Sequence, residues 1–368
     1  MATSNKARLF TMDDAPGLTR LNKEFYGLDR DKAFWQWKYY DLPGKHAIVV
    51  MGDPADLGGQ IGGIVLKLNY DGAEHDILQC QDILIKKDQR QGRSFFVLES
   101  TARKIRRELG CPLDFGFSID ITRKIATHSL GFTDIGRVPK MVWPRHSLPY
   151  VSKKIPFKRL AKLASALYDK IKLGEPRKLD SFDDPTIRIE RIDRFGEPFD
   201  RLWEEAKGSY KAMVRRDSAY LNWRYSDNPA SHYDSFAAYG ADGKLLGFVS
   251  LEERKGILNF ESLHLDVPDT YRGDIVDVLT TPGKQGTHAL RKLIRHAYNE
   301  LAARDVDIVV CWCFPHMEVY QQLAELGFRE RPTPHTLIVR SDSEQIGPDS
   351  DFFKQESWYL MRGDGDHY

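Results

Sequence analysis

Residues 31–43 read Asp31-Lys-Ala-Phe-Trp-Gln-Trp-Lys-Tyr-Tyr-Asp-Leu-Pro43, and residues 217–229 repeat them as Asp217-Ser-Ala-Tyr-Leu-Asn-Trp-Arg-Tyr-Ser-Asp-Asn-Pro229. The register is constant, so Trp37 corresponds to Trp223 and Pro43 to Pro229. Two copies half a chain apart indicate a tandem pair of domains, because solenoid repeats recur every ~20–50 residues. A segment kept in both halves is more typical of framework, a helix packed on a sheet, than of an aromatic platform for a substrate.

The composition is that of an ordinary globular chain. Its 368 residues suggest about two domains, and 41% hydrophobic with 29% charged residues is typical of folded proteins. The formal net charge of +1 argues against a nucleic-acid partner, which requires a basic field. The four cysteines match no zinc pattern and are too few for a disulfide framework, so no metal site is predicted. Because the sequence shows neither an apolar leader nor an apolar run of ~18 residues, we expect a cytoplasmic protein.

The order of elements is the same in both halves. After the repeat, each half has a hairpin, a buried strand, a glycine-bearing turn, a long helix, a strand and a helix that leads to Leu-Gly-Phe. A last strand then ends each half, at 140–143 and 336–339. This pattern predicts an α/β fold with a mixed sheet in each half. We place an N-terminal domain, a linker, a C-terminal domain and a tail at 1–148, 149–185, 186–342 and 343–368.

The turn after the first buried strand carries the chemistry. The strand end Ile83-Leu84-Ile85 is followed by Gln89-Arg90-Gln91-Gly92-Arg93-Ser94 and then by an apolar-patterned helix. The N–H groups of a tight turn and of a helix N-terminus form an anion-binding concavity, and Gly92 would let a pyrophosphate approach closely. Together with the Leu-Gly-Phe element, the turn resembles the acetyl-CoA motif Q/R-x-x-G-x-G/A of the GCN5-related N-acetyltransferase (GNAT) superfamily. Ser94 stands where that family has Gly or Ala.

The resemblance covers nearly all of both halves and implies two tandem GNAT-like acyl-CoA N-acyltransferase domains with acetyl-CoA as cofactor. The second turn, Gly283-Lys284-Gln285-Gly286-Thr287, departs from the motif because Gly283 stands where Gln or Arg is expected. In related tandem proteins one half is commonly competent and the other structural. We therefore favour CoA binding in the first half, with the second as the alternative. We expect Gly92→Val to weaken CoA binding and Gly286→Val to do little.

The catalytic groups are less directly implied. In the superfamily an amine attacks the thioester directly, with a general base, a general acid and an oxyanion held by a backbone N–H, here near Leu84 or Ile85. The tyrosine that usually acts as the acid is replaced by Thr127 in the first half and by Leu323 in the second. Each remaining candidate has a structural role as its alternative. These candidates are Asp82, Asp120, His316 and Tyr320.

The segment 152–177 between the halves has a composition of its own. Its apolar residues form one stripe, made of Phe157, Leu160, Leu163, Leu167 and Ile171. The rest of its surface is basic and contains Lys153, Lys154, Lys158, Arg159, Lys162, Lys170 and Lys172. The pattern predicts a linker helix packed between the domains. A helix lying on an anionic membrane surface is the alternative, which would give the chain a peripheral membrane contact.

These features predict an N-acetyltransferase that transfers acetyl from acetyl-CoA to an amine of a small molecule or a cell-envelope precursor. Two alternatives stay open. One is an acyl or aminoacyl transferase on the same fold that uses an acyl-carrier protein or aminoacyl-tRNA. The other is a non-catalytic scaffold that binds CoA or another ligand. The missing tyrosine favours the scaffold, whereas the well-kept first turn opposes it.

Overall fold

The structure, a computed structural model, describes residues 6–89, 93–172, 175–176, 178–260 and 265–365. The elements of the first half are, in chain order, β1 (Ala7–Leu9), α1 (Ala15–Tyr26), α2 (Lys32–Tyr39), β2 (Lys45–His46), β3 (Val49–Asp53), β4 (Asp56–Tyr70), β5 (Ala73–Ile85), α3 (Ser94–Glu108), β6 (Leu113–Ser118), α4 (Asp120–Ser129), β7 (Thr133–Arg137) and β8 (Lys140–Pro144).

Two linker helices follow, α5 (Leu148–Lys154) and α6 (Lys158–Lys172). The elements of the second half are β9 (Arg188–Ile192), α7 (Glu197–Ala206), β10 (Ala212–Val214), α8 (Ser218–Leu221), β11 (Asp234–Tyr239), β12 (Leu245–Phe260), β13 (Leu265–Thr280), α9 (Lys284–Ala303), β14 (Ile308–Trp312), α10 (Glu318–Glu325), β15 (Arg329–Arg331) and β16 (Thr336–Ser341). A π-helical turn, Asn222–Ser226, continues α8 through the second copy of the repeat.

The strands form two mixed sheets. The first has the order β1-β3-β4-β5-β6-β16-β7, and β2 and β10 also pair with β4. The second has the order β15-β8-β14-β13-β12-β11-β9. In each sheet the strand that precedes the long helix runs parallel to the strand that follows it, β5 with β6 and β13 with β14. The α/β fold with mixed sheets that the sequence predicts is confirmed.

The closing strand of each half completes the sheet of the other half. Strand β16 lies between β6 and β7, and β8 lies between β14 and β15. Arg340 holds β16 in place, because its Nε donates to Asp114 Oδ2 on β6 at 2.7 Å and its guanidinium lies over the ring of Phe132. The sequence predicts both strands but not this exchange. As a result, neither half closes its sheet without the other.

The two copies of the repeat meet at the centre of the molecule. The rings of Trp37 and Trp223 stack with centroids 5.4 Å apart. Trp37 Nε1 donates to the carbonyl oxygen of Trp223 at 2.7 Å, and Trp223 Nε1 donates to that of Trp37 at 2.9 Å. This reciprocity places the repeats in equivalent positions, as expected of a local twofold relation. Both side chains are buried in this contact, so the framework interpretation is confirmed.

One apolar core runs through both halves and the tail. Its buried members include Trp35 and Phe115 from the first half, Phe248 and Phe314 from the second, and Trp358 from the tail. The backbone N–H of Phe352 donates to the hydroxyl of Tyr70 on β4 at 3.0 Å, which holds the tail against the first half. The tail is therefore part of the folded unit.

Candidate active site

A bulge deforms β5 immediately before the first cofactor turn. Gln60 on β4 pairs with Leu84 and Gly62 pairs with Gln81, so two residues of β5, Asp82 and Ile83, lie opposite one residue of β4. Asp82 adopts a φ of 47°, in the left-handed region that aspartate tolerates better than most residues. Bulges bend a strand and redirect its side chains, and they are frequent next to active sites.

Beyond the bulge, β5 and β6 separate. Their parallel ladder runs from the Ile77–Leu113 pair to the Cys80–Gly116 pair, although β5 continues to Ile85. Lys86 N–H donates to the carbonyl oxygen of Gly58 on β4 at 2.9 Å. Because N–H groups alternate in direction along a strand, the N–H of Ile85 points away from β4. The gap between the two strands therefore lies directly beside the turn.

The Asp82 carboxylate is held by the repeat helix α2. Its Oδ2 accepts from Lys38 Nζ and, at 3.2 Å, from the hydroxyl of Tyr39. The side chains of Lys38 and Asp82 are 0% and 6% exposed, so this is a buried ion pair. Burial raises the pKa of the Asp82 carboxyl, but the charge and hydrogen bond of Lys38, the charge of Arg30 and the hydrogen bond from Tyr39 together outweigh it, and the net pKa lies below its ordinary value. Asp82 is therefore ionised at neutral pH.

Two buried amides lie next to this pair. Gln60 Nε2 donates to the carbonyl oxygen of Asp82 at 3.1 Å. Gln60 Oε1 and both amide atoms of Gln81 are buried without a hydrogen-bond partner among the described residues. Buried amides are satisfied in nearly all native structures, so such atoms indicate a place for water or a polar ligand group. Gln60 and Gln81 thus extend a polar surface from Asp82.

The second half has an equivalent contact between a repeat tyrosine and a strand carboxylate, and this carboxylate has further charged partners. The hydroxyl of Tyr225, which corresponds to Tyr39, donates at 2.9 Å to Asp277 Oδ2 on β13. Asp277 also pairs with Arg216, and Arg216 NH2 donates to Asp364 of the tail at 2.6 Å. All these groups are buried. In each half, therefore, the tyrosine of the repeat binds a carboxylate on the strand that leads to the turn.

The other predicted catalytic residues lie elsewhere. Asp120 begins α4, is exposed, and accepts from Arg137 NH2 at 3.0 and 3.2 Å. His316 Nε2 lies 3.0 Å from the carbonyl oxygen of Trp358, and burial lowers its pKa. The hydroxyl of Tyr320 donates to Glu330 Oε2 at 2.7 Å, and this hydrogen bond raises its pKa to about 12. The structure thus gives Asp120 and Tyr320 surface partners and does not bring them to Asp82.

Only part of the first cofactor turn can be placed. A short 3₁₀ turn covers Lys87–Gln89, and Arg90, Gln91 and Gly92 lie outside the described residues. Arg93 is exposed and occupies the N-cap position of α3, which begins at Ser94. The N-terminus of a helix of 15 residues therefore follows the bulged strand, which is the geometry that an anionic group requires.

The second turn is described completely. Gly283 has a φ of 85° and is the N-cap of α9. A cavity of about 310 Å³ adjoins this turn and is lined by Tyr210, Thr281, Glu318 and Tyr359, among others. A Cβ on Gly286 would lie 1.5 Å from the carbonyl oxygen of Thr281. Gly286→Val would therefore disturb the second turn itself, so this substitution is not a neutral control, and its expected small effect on CoA binding stays a prediction.

The tail contacts the end of β13 in the second half. The hydroxyl of Tyr359 donates to the carbonyl oxygen of Val278, near the end of β13. Its backbone N–H donates to the carbonyl oxygen of Ala212 at 2.9 Å. A backbone acceptor at the end of the second strand is thus occupied by the chain itself.

Sequence reasoning missed Lys38, Gln60 and Gln81. For Lys38 a signal existed, since the repeat carries a basic residue and a tyrosine at equivalent positions in both copies, Lys38-Tyr39 and Arg224-Tyr225. For the two glutamines none did, because their burial depends on the pairing of β4 with β5. Among the described residues, no group of three or more His, Cys, Asp or Glu side chains is arranged to hold a metal ion.

No protein-family model matches the sequence, and no curated protein matches it either. Solved structures do match the fold. A conserved protein of unknown function from Enterococcus faecalis V583, described as a probable N-acyltransferase, superposes with a TM-score of 0.60 at 10% identity, covering 91% of this chain and 72% of that chain. Saccharomyces cerevisiae N-myristoyltransferase with bound myristoyl-CoA superposes with a TM-score of 0.57 at 14% identity, covering 96% of this chain and 83% of that chain. A GCN5-related N-acetyltransferase from Anabaena variabilis ATCC 29413 superposes with a TM-score of 0.60 at 11% identity, covering 91% of this chain and 72% of that chain. At these identities the likeness establishes the fold and leaves the reaction open.

Proposed function

We propose that this chain, whose fold is the tandem fold of the GNAT superfamily, is an N-acyltransferase that takes its acyl group from CoA in the first half. The observation that carries the proposal is the bulged end of β5, which separates from β6 and leads through the turn to the N-terminus of α3. The thioester would lie in the gap between the strands and the pyrophosphate at the helix N-terminus. The solved neighbours that include a CoA complex support this arrangement.

The reaction is an acyl transfer by direct attack. The acceptor amine forms a C–N bond with the thioester carbonyl, the C–S bond breaks, and CoA leaves as a thiolate that takes up a proton. The attacking amine loses a proton to a base or to water. A backbone N–H near the end of β5, around Leu84 or Ile85, would hold the oxyanion of the tetrahedral intermediate.

Asp82 and its neighbours form the acceptor side of the proposed site. An ionised carboxylate beside the unpartnered Oε1 of Gln60 and the unpartnered amide of Gln81 is suited to a polar, amine-bearing acceptor. Because Asp82 has a lowered pKa and is paired with Lys38, we assign it to orienting the amine in preference to storing its proton. Asp120 has no such role in the proposal, since Arg137 holds it at the surface.

The second half supplies the competing site. Its cavity of about 310 Å³ adjoins the Gly283 turn, so a CoA site there is the alternative to be tested. We favour the first half because the tail of the chain occupies the Val278 carbonyl at the second strand end. A non-catalytic scaffold and a transferase that uses carrier-bound or tRNA-bound acyl groups are the remaining alternatives.

Release of the CoA thiol tests the proposal. Acetyl-CoA and longer acyl-CoA thioesters are each incubated with the protein and a panel of primary amines. We expect thiol release that depends on the amine. CoA binding without amine-dependent release from any thioester would favour the scaffold, and no CoA binding would refute the proposed cofactor.

A matched pair of variants tests the acceptor side. We expect Asp82→Asn to lower kcat by about 10²-fold while the Kd for CoA changes by less than about twofold, since an orienting contact acts on the transition state. Asp120→Asn, the control carboxylate on the same half, should leave both constants within about twofold. Unchanged kinetics for Asp82→Asn would move the chemistry to His316 in the second half.

A further inference from the structure

The linker helix α6 is anchored to the protein through its small residues. Ala161 and Ser165 are buried, and Ser165 Oγ lies 3.0 Å from Ser147 Oγ at the start of α5. Asp169, one turn further, accepts from the N–H of Ser147 at 2.9 Å and from Ser165 Oγ at 3.2 Å. These contacts fix which face of α6 turns inward.

The large apolar residues of α6 turn outward. Leu160, Leu163 and Leu167 are 56%, 69% and 62% exposed, and Phe157, just before the helix, is 68% exposed. Leu163 is two residues from both Ala161 and Ser165, so at about 100° per residue it lies nearly opposite the buried face. We call Phe157, Leu160, Leu163 and Leu167 the apolar stripe. The stripe is not packed between the two halves, so the expectation of a buried linker helix is wrong for this face.

The surroundings of the stripe are basic. The segment 148–172 contains seven Lys or Arg residues and one acidic residue, whereas the whole chain has a net charge of +1. The rest of the chain is therefore net acidic, and positive charge is concentrated here. Lys154, Arg159 and Lys162 are exposed. The one acidic residue, Asp169, is turned inward by its hydrogen bonds to Ser147 and Ser165, so it does little to neutralise the outer face.

We propose that α6 docks this protein on the surface of an anionic lipid bilayer. The three leucines and the phenylalanine on one exposed face can insert at the boundary between the headgroups and the acyl chains. The neighbouring lysines and arginine can then bind lipid phosphates. With 15 residues, α6 is about 22 Å long, enough to lie in the plane of the interface. Across the described ranges, none of the helices combines the length and apolarity that a bilayer crossing requires. This proposal does not depend on the proposed reaction.

Charge distinguishes the bilayer from a second copy of the chain as the occupant of the stripe. A symmetric contact through α6 would bring two strongly basic segments face to face, and like charges across an interface are unfavourable. An anionic lipid surface offers the opposite charge along the whole helix. The bilayer is therefore the occupant that satisfies both the apolar and the basic parts of the surface.

Vesicle co-sedimentation of the full chain tests the proposal. The probes are vesicles of phosphatidylcholine alone and of phosphatidylcholine mixed with phosphatidylglycerol. We expect binding to the mixed vesicles that weakens as salt is raised, because the basic contacts are screened. The variant Leu160→Ser/Leu163→Ser/Leu167→Ser should reduce the partition coefficient by at least about tenfold, since it removes most of the apolar area. At low salt, the variant Arg159→Glu/Lys162→Glu should also reduce the partition coefficient by at least about tenfold, because it replaces attraction to the lipid phosphates with repulsion.

Two controls make the outcome decisive. Leu9→Ser/Leu28→Ser removes exposed leucines elsewhere, and Lys104→Glu/Arg188→Glu reverses exposed charges elsewhere. Both should bind vesicles like the wild type. No binding of the wild type to mixed vesicles, or unchanged binding of the triple serine variant, would overturn the proposal. So would sedimentation equilibrium without lipid that shows a dimer for the wild type and a monomer for the triple serine variant, since a second copy would then cover the stripe.

Discussion

At the residue scale, the buried ion pair of Lys38 and Asp82 has the largest consequences. Removing one partner of a buried pair leaves an uncompensated charge, which typically costs about 3–5 kcal/mol. We therefore expect Lys38→Met to lower the free energy of unfolding by about that amount. The double variant Lys38→Met/Asp82→Leu removes both charges and should recover most of the loss. Urea denaturation of the wild type and both variants measures this, and equal losses in the two variants would contradict the pairing.

The same pair sets the response of stability to acid. The pKa of Asp82 lies below its ordinary value in the folded state, so the unfolded chain takes up this proton first as the pH falls. Its contribution to stability is fully present above the ordinary pKa of about 3.9 and is lost below it. We expect the acid limb of the unfolding free energy, below about pH 4, to be shallower in Lys38→Met/Asp82→Leu than in the wild type. Identical acid limbs would contradict a lowered pKa.

The sequence predicts Asp82 but not its environment. Asp82 and Asp120 look alike in sequence, because both stand where a strand ends. What separates them is tertiary. Asp82 sits in a bulge that turns it toward Lys38, 44 residues away, whereas Asp120 begins a surface helix next to Arg137. Periodicity along one strand does not reveal register slips against another, so the bulge and the buried Gln81 could not be predicted.

At the element scale, strands β8 and β16 are exchanged between the two sheets. Domain limits read from the sequence therefore give the order of the elements along the chain but not the sheet that each strand joins. An alternating apolar pattern shows that a segment is a strand but not which sheet it joins. The sequence predicts both strands at 140–143 and 336–339, and the structure has them at Lys140–Pro144 and Thr336–Ser341. Their partners are set by contacts such as Arg340 with Asp114, which span more than 200 residues.

His335, which immediately precedes β16, makes the unfolding free energy depend on pH. Its ring lies 5.1 Å from that of Trp312 on β14, and burial together with the charge of Lys140 lowers its pKa to about 4. Between about pH 6.5 and 4 the unfolded chain binds this proton and the folded chain does not, so stability is lost as the pH falls. The full loss of unfolding free energy is roughly 3 kcal/mol, at about 1.36 kcal/mol per pKa unit. His335→Gln should flatten this part of the curve of unfolding free energy against pH, and an unchanged slope would contradict the lowered pKa.

At the scale of the whole molecule, one core and two exchanged strands predict a single cooperative unit. In fragment 1–148, β6 and β7 would lack β16 between them, and β8 would lack the second sheet. We expect this fragment to show no cooperative thermal transition by circular dichroism, and co-expression with 149–368 to restore one. A fragment 1–148 that unfolds cooperatively at the Tm of the full chain would contradict the exchange.

The central claim is that one CoA binds at the turn of the first half. The two turns offer a matched test, because Arg93 and Lys284 are both exposed basic residues at the start of the helix that follows each turn. Isothermal titration of CoA into the wild type, Arg93→Glu and Lys284→Glu measures the assignment. A charge-assisted hydrogen bond contributes ~1.5–3 kcal/mol, and each ~1.4 kcal/mol changes Kd tenfold. We predict about one CoA per chain for the wild type, a Kd more than about tenfold weaker for Arg93→Glu, and a change of less than about twofold for Lys284→Glu. A weakened Lys284→Glu beside an unaffected Arg93→Glu would place the cofactor in the second half and contradict the account.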